Sequence, residues 1–97
     1  MHVKFPHKFS RQEAVLRVKN ALNAARPQLG DKAQIDEERW ENNILYFAFT
    51  ANGQHITGHV EVTDKEFDIT AKLPLMLRLF EGRLEKMIRE QGAQMLG

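Results

Sequence analysis

Four histidines are the residues of this 97-residue chain whose chemistry first suggests a metal site or proton transfer. His55 and His59 have the i, i+4 spacing that brings two imidazoles onto one metal ion when both residues lie on a helix. Their surroundings predict a strand instead, and four strand residues span about 13 Å, too far for two ligands of one ion. We therefore expect no metal and no cofactor, and we interpret both histidines as members of cross-strand surface pairs.

The chain carries no other strong catalytic signal. It contains no cysteine, which excludes disulfides, thiolate metal sites and a cysteine nucleophile. His59 with Ser10 or a threonine would supply a base and a nucleophile, but no spacing favours such a pair over chance. The sequence therefore favours a non-enzymatic role, and an enzyme remains the alternative.

Three side chains are candidates to face a ligand: His7, Tyr46 and His59. His7 comes directly before a predicted helix, where its ring could bond a backbone group at the corner or face a ligand. Tyr46 and His59 are predicted to lie opposite each other on the polar face of a sheet. Trp40 is better interpreted as an aromatic at the edge of the core than as a binding platform.

A β-hairpin is the best-defined of the elements that must position these residues. Residues 44–51 and 54–62 flank Asn52-Gly53, the dipeptide best suited to a two-residue type I′ turn. Residues 67–73 alternate apolar and polar side chains and predict the next strand. This register places one set of apolar side chains on the core face of the sheet: Leu45, Phe47, Phe49, Ile56, Val60, Val62, Phe67, Ile69 and Leu73.

The remaining segments complete an α+β plan. Residues 2–5 predict a short strand, and Ser10-Arg-Gln-Glu13 is a capping box that starts a helix ending at Pro27 and Gly30. Residues 33–40 are the weakest predicted strand because a run of charges interrupts the alternation. The prediction is βαββββα, a curved antiparallel sheet with two helices packed on one face, for which helix-grip proteins are an analogy.

The last helix is predicted to follow Pro74 as one long element, and its start is apolar nearly all round. Leu75 and Leu79 fall opposite the arc of side chains that would face the core. They are either buried under another part of the chain or form a docking surface. The predicted core stripe is Leu77, Phe80, Leu84, Met87, Ile88, Gln91 and Met95. The predicted docking surface is Leu75, Met76 and Leu79, with a basic rim of Arg78, Lys86 and Arg89.

Composition limits the class of partner. A formal net charge of +1 and a pI of about 8.1 give no electrostatic reason to expect nucleic acid. No segment approaches the roughly 20 apolar residues of a transmembrane span, and the start of the chain lacks the apolar core of a signal peptide. We therefore expect a single cytoplasmic domain over residues 1–97.

Several features together resemble a known family, although each one alone is unspecific. They are His7 with Ala14, Trp40, the Leu45-Tyr-Phe47 strand, Gly53 with Gly58, Leu73, Leu75-Met-Leu77, and Phe80-Glu-Gly-Arg-Leu-Glu-Lys-Met-Ile88. With these features the chain resembles the small bacterial proteins called putative polyhydroxyalkanoic acid system proteins, over nearly its whole length. The resemblance implies a small cytoplasmic protein associated with polyester storage and lacking an evident catalytic set. It brings no site residues with it.

Two hypotheses for function follow from these features. The first is a non-enzymatic accessory or granule-associated protein of polyhydroxyalkanoate storage, whose docking surface contacts the granule surface or a granule protein. The second is a binding protein or enzyme for a small apolar, acyl-type ligand, with a pocket of at least roughly 300 Å³ between sheet and helix. A homodimer, formed through Leu75 and Leu79 or through a sheet edge, is compatible with either.

Overall fold

The structure is a computed structural model that describes residues 1–96, with side chains described through residue 94. The elements of this part are β1 (His2–Pro6), α1 (Arg11–Leu29), β2 (Ala33–Glu41), β3 (Ile44–Ala51), β4 (Gln54–Val62), β5 (Glu66–Lys72), α2 (Leu75–Arg78) and α3 (Glu81–Leu96). The predicted α+β class and order of elements are confirmed, with the last helix divided into α2 and α3.

The five strands form one open antiparallel sheet in the order β1-β5-β4-β3-β2. The β3–β4 hairpin has the predicted register, with Phe49 opposite Ile56. Its turn residues have positive φ angles, 53° at Asn52 and 75° at Gly53, as a type I′ turn requires. The sequence therefore predicted both the turn and the side chains that share each face.

The two edges of the sheet differ in construction. β1 pairs with β5, where Phe5 lies opposite Phe67, so the first strand forms an edge whose position the sequence left open. β2 forms the other edge and contains a bulge, because the register shifts between Ile35 and Glu37 and leaves Asp36 without a cross-strand partner. This bulge explains why the charged run weakened the predicted strand without abolishing it.

Helix α1 begins where the capping box predicted and ends at Gly30 as expected, but Pro27 does not end it. The Ser10 hydroxyl accepts a hydrogen bond from the Glu13 amide at 3.1 Å. The helix continues through Pro27 to Leu29 and ends at Gly30, whose φ is 52°. Since Pro27 lies near the last turn, the hydrogen bond that proline removes is lost where the helix is already ending.

The hydrophobic core lies between the sheet and the two long helices. Phe67 is 1% exposed, and its ring centroid lies 5.2 Å from that of Phe5 and 4.9 Å from that of His7. Ile88 of α3 packs against this cluster. The buried members of the cluster are Val3, Phe5, Ala14, Val18, Leu45, Val62 and Phe67.

At two glycines, the absence of a side chain lets a neighbouring element pack directly against the backbone. A Cβ atom at Gly58 would lie 2.2 Å from the Thr70 carbonyl oxygen and 2.7 Å from the Phe47 ring, so the absence of a side chain leaves room for Phe47. A Cβ atom at Gly92 would lie 2.7 Å from the Phe5 ring. Helix α3 therefore contacts β1 directly at Gly92, a contact that the sequence did not predict.

The prediction of one long closing helix with a wide core stripe is wrong in part. Leu79 and Phe80 separate α2 from α3, so the stripe does not run through from one helix to the other. Because α3 approaches β1 at Gly92 and the core at Ile88, Met87 lies about 100° away from the inward arc. Leu77, Leu84 and Ile88 are half-buried as expected, Phe80, Met87 and Gln91 are exposed, and the Met95 side chain lies outside the described part.

Candidate functional site

Exposed apolar side chains are concentrated between residues 75 and 87. Within the part whose side chains are described, the only other large hydrophobic residue exposed to a similar degree is Leu16, at 50%. The alternative that Leu75 and Leu79 are buried under another part of the chain is therefore wrong. We call the following residues the apolar segment: Leu75 (77% exposed), Met76 (68%), Leu79 (85%), Phe80 (50%) and Met87 (45%).

Helix α2 is a single turn that local hydrogen bonds hold at the end of β5. The Pro74 carbonyl accepts from the amides of Leu77 at 2.9 Å and Arg78 at 3.2 Å. The Arg78 Nε atom donates to the carbonyl of Leu73, the last buried residue before the helix, at 3.2 Å. Backbone bonds therefore fix the path of the chain, while the side chains of Leu75, Met76 and Leu79 remain in solvent.

The start of α3 is attached to the sheet by polar contacts. A carboxylate oxygen of Glu81 lies 2.9 Å from the Met1 ammonium, which also donates to the Ala71 carbonyl at 2.9 Å. The Phe80 carbonyl accepts from the Leu84 amide at 2.9 Å. The two helices that carry the apolar segment are thus held by hydrogen bonds and an ion pair that do not involve the exposed apolar side chains.

Exposed basic side chains occur in the same stretch of the chain as the apolar segment. The predicted rim residues Arg78, Lys86 and Arg89 are exposed, and Arg83 adds a fourth cation. No carboxylate of the described residues lies within ion-pair distance of any of these four groups. The residues of the predicted docking surface and of its basic rim are therefore all exposed to solvent.

His7 closes the corner between β1 and α1. Its Nε2 atom lies 2.8 Å from the Thr63 carbonyl, and its Nδ1 atom accepts from the Phe9 amide at 3.1 Å. Since Nδ1 accepts, Nε2 carries the proton and donates. Both ring nitrogens are occupied by the backbone, so the expected corner bonds are present and neither nitrogen is available to a ligand.

Tyr46 and His59 lie opposite each other on the polar face, as predicted. Their ring centroids are 6.0 Å apart, and the Arg39 guanidinium lies 4.5 Å from the centre of the Tyr46 ring. This arrangement is a cross-strand surface cluster on a sheet face. It brings these two predicted ligand-facing residues together.

A third polar cluster contains the predicted cross-strand pair of His55 with Thr50 and also Asp36, whose part was not predicted because it depends on the bulge. The Thr50 hydroxyl donates to Asp36 Oδ2 at 2.6 Å, and His55 Nδ1 lies 3.0 Å from the hydroxyl and 3.4 Å from Asp36 Oδ2. The exposed cluster ties the bulge of β2 to the neighbouring strands. Nowhere in residues 1–96 does the structure gather three or more histidine or acidic side chains as a metal would require.

Two surface depressions lie away from the apolar segment. One is lined by residues 30–34 with Thr50 and Asn52, and the other follows the outer side of α1 near Arg17 and Ala21. Both are wide open to solvent and neither lies between the sheet and the helices. None of the described helices combines the length and apolar character needed to cross a membrane.

Comparison with known proteins decides the family. A family model described as "Putative polyhydroxyalkanoic acid system protein" matches residues 1–96. The chain belongs to this family. No curated protein and no solved structure matched the chain.

Membership of the polyhydroxyalkanoic acid system family confirms the resemblance seen in the sequence and gives the protein a polyhydroxyalkanoate-related context. The family description assigns no role to any residue. Sequence reasoning assigned the exposed Phe80 and Met87 to the core stripe and did not include the exposed Arg83 in the basic rim. For Phe80 the available signal was that residues 73–80 are apolar nearly all round, so that some of these side chains had to be either covered by another part of the chain or exposed.

Proposed function

We propose that this protein is a non-enzymatic accessory protein of polyhydroxyalkanoate storage that attaches to the granule surface through the apolar segment. The observation that carries this proposal is the concentration of exposed leucine, methionine and phenylalanine in residues 75–87. A protein with a complete core rarely leaves such residues clustered in water unless they contact a partner. The family supplies the polyester context.

The free energy of transferring apolar side chains out of water supports attachment by the apolar segment. Transfer of one large apolar side chain from water to an apolar phase contributes about 1.5–3 kcal/mol. Partial insertion of several such side chains would offset a substantial part of the cost of holding a protein at a surface. Since Leu75, Met76 and Leu79 already point away from the core, attachment requires no unfolding of the sheet.

The polar clusters give less support to catalysis or to binding of a small ligand. His7 uses both ring nitrogens within the chain, and Tyr46, His59 and the Thr50 cluster lie on a sheet face. The pocket expected of an acyl-ligand protein has no counterpart in the two described depressions. Binding to a surface would explain why the apolar segment is exposed, whereas binding in a pocket would not.

The test is co-sedimentation of the purified protein with polyhydroxyalkanoate granules. We expect the unaltered protein to pellet with granules, and the double variant Leu75→Asp/Leu79→Asp to remain in the supernatant. Two charged side chains at these positions would have to be desolvated during insertion. Each position is exposed, so we expect each substitution to change the free energy of unfolding by no more than about 0.5 kcal/mol.

The control is Leu16→Asp, which places one such charge at an exposed leucine on α1. This variant should pellet like the unaltered protein, and all three proteins should give the same circular dichroism spectrum. Retention of granule binding by the folded double variant would contradict the proposal. Equal loss of binding by Leu16→Asp would show that general surface charge, not the apolar segment, decides attachment.

A further inference from the structure

The four arginines in the first two thirds of the chain each lie within ion-pair distance of a carboxylate. Arg11 lies 3.1 Å from Asp64, and Arg26 is paired with Glu38 across the α1–β2 interface. The Arg39 guanidinium lies 2.6 Å from Glu41. These pairs neutralise much of the charge on the helix and sheet surfaces where they lie.

The cations around the apolar segment are arranged differently. Arg78, Arg83, Lys86 and Arg89 are exposed, and no ion pair joins any of them to an acidic side chain in the described part of the chain. The three acidic residues of α3 are Glu81, Glu85 and Glu90. Of these, Glu81 is engaged with the Met1 ammonium, and Glu85 is half-buried.

Helical spacing places two of these cations beside the exposed Met87 side chain. Arg83 precedes Met87 by four residues, and Lys86 follows Arg83 by three, so the three side chains are neighbours on one side of α3. Arginine and lysine can lay their aliphatic stems along an apolar surface while the charged group stays in a polar layer. The apolar segment thus combines exposed apolar side chains with nearby cations. A lipid layer with anionic headgroups offers the matching arrangement, with negative charge at its surface and acyl chains beneath.

We infer that the surface recognised by the apolar segment is an anionic lipid layer. The leucine, methionine and phenylalanine side chains enter the acyl region, and the four cations contact the headgroups. This inference rests on the proposed attachment role and specifies its chemistry. Bare polyester is uncharged along its chain and would gain little from these cations.

The inference predicts that the affinity of the protein for a lipid layer depends strongly on the lipid charge and on the salt concentration. Each basic residue near an anionic membrane surface changes binding by roughly fivefold. At 1 M salt the Debye length falls to about 3 Å, so the headgroup contribution should be largely screened. Attachment by apolar contact alone would instead be unchanged or strengthened by salt.

The experiment is co-sedimentation with vesicles of phosphatidylcholine alone and vesicles containing about 30% phosphatidylglycerol, a fraction chosen to approximate an anionic membrane. The unaltered protein should bind the anionic vesicles at least about tenfold more tightly than the neutral ones. The triple variant Arg83→Gln/Lys86→Gln/Arg89→Gln should lose that preference. A matched triple variant, Lys8→Gln/Lys32→Gln/Lys65→Gln, removes the same charge at exposed lysines elsewhere and should retain it.

Equal affinity for the two vesicle types, or no binding to either, would overturn the lipid inference. Equal loss of the preference in both triple variants would also overturn it, since net charge and not the segment would then be responsible. Pelleting with surfactant-free polyester particles, measured in parallel, separates the two proposals. Binding to these particles without binding to anionic vesicles would overturn the lipid inference and leave the proposed attachment role in place.

Discussion

The corner around His7 and Phe67 and the apolar segment after β5 are both rich in apolar residues, yet they place them in opposite environments. Phe67 is 1% exposed and contacts the rings of Phe5 and His7, whereas Leu79 is 85% exposed. Strand β1 and helices α1 and α3 supply the neighbours that bury the corner. The described chain supplies no such cover for the segment. Hydrophobic composition alone therefore does not define a core, because burial also requires an element that folds back over the residue.

The largest expected effect that tests this contrast is a pair of truncations to alanine. Phe67→Ala should lower the free energy of unfolding by about 3–5 kcal/mol, because it removes a buried ring and leaves a cavity. Leu79→Ala removes a side chain that lies in water, so we expect a change within about 0.5 kcal/mol. Denaturant unfolding followed by circular dichroism measures both values. Similar losses in the two variants would show that Leu79 is covered in solution.

A pair of glycine substitutions tests the same contrast through close packing. Gly58→Ala should destabilise by at least about 2 kcal/mol, because the new Cβ would lie 2.2 Å from the Thr70 carbonyl oxygen and 2.9 Å from the Ala71 Cα atom. Gly82→Ala meets nothing within 4 Å and lies in α3, where alanine should stabilise by about 0.5–1 kcal/mol.

Thermal unfolding should therefore shift in opposite directions for the two glycine variants. A downward shift for Gly82→Ala would mean that the exposed side of α3 near its start is packed against something. That result would weaken both the contrast and the proposed attachment site.

Much of the fold could be predicted because its signals are local. Asn52-Gly53 determines the hairpin turn, and the alternation on either side then determines which side chains share a face. The edge position of β1 could not be predicted, since it depends on pairing with β5 some sixty residues later in the chain. The bulge at Asp36 was also beyond local patterning, because one extra residue in a charged strand leaves no distinct signature.

The candidate site was predicted only in outline for a related reason. Periodicity identified Leu75 and Leu79 as misplaced on a core-facing helix, but it could not distinguish burial by a distant element from exposure. Phe80 and Met87 were assigned to the core stripe on the assumption of one continuous helix. The division between α2 and α3, and the contact of Gly92 with Phe5, changed which side of α3 faces inward. Both features depend on tertiary packing, which a single helix pattern does not encode.

A smaller loss than those expected for Phe67→Ala and Gly58→Ala distinguishes a structural histidine from a ligand-facing one. His7→Ala removes the bonds to the Thr63 carbonyl and from the Phe9 amide, so it should lower the free energy of unfolding by about 1–2 kcal/mol. The control His59→Ala removes a surface pair with Tyr46 and should change it by no more than about 0.5 kcal/mol.

Urea titration measures the stability of both histidine variants, and granule co-sedimentation measures their binding. His7 belongs to the packed corner, so its loss should weaken the fold while leaving attachment of the folded protein unchanged. A folded His7→Ala protein that no longer binds granules would connect the corner to function. The interpretation that the buried corner only stabilises the fold, while the exposed apolar segment binds, would then be wrong.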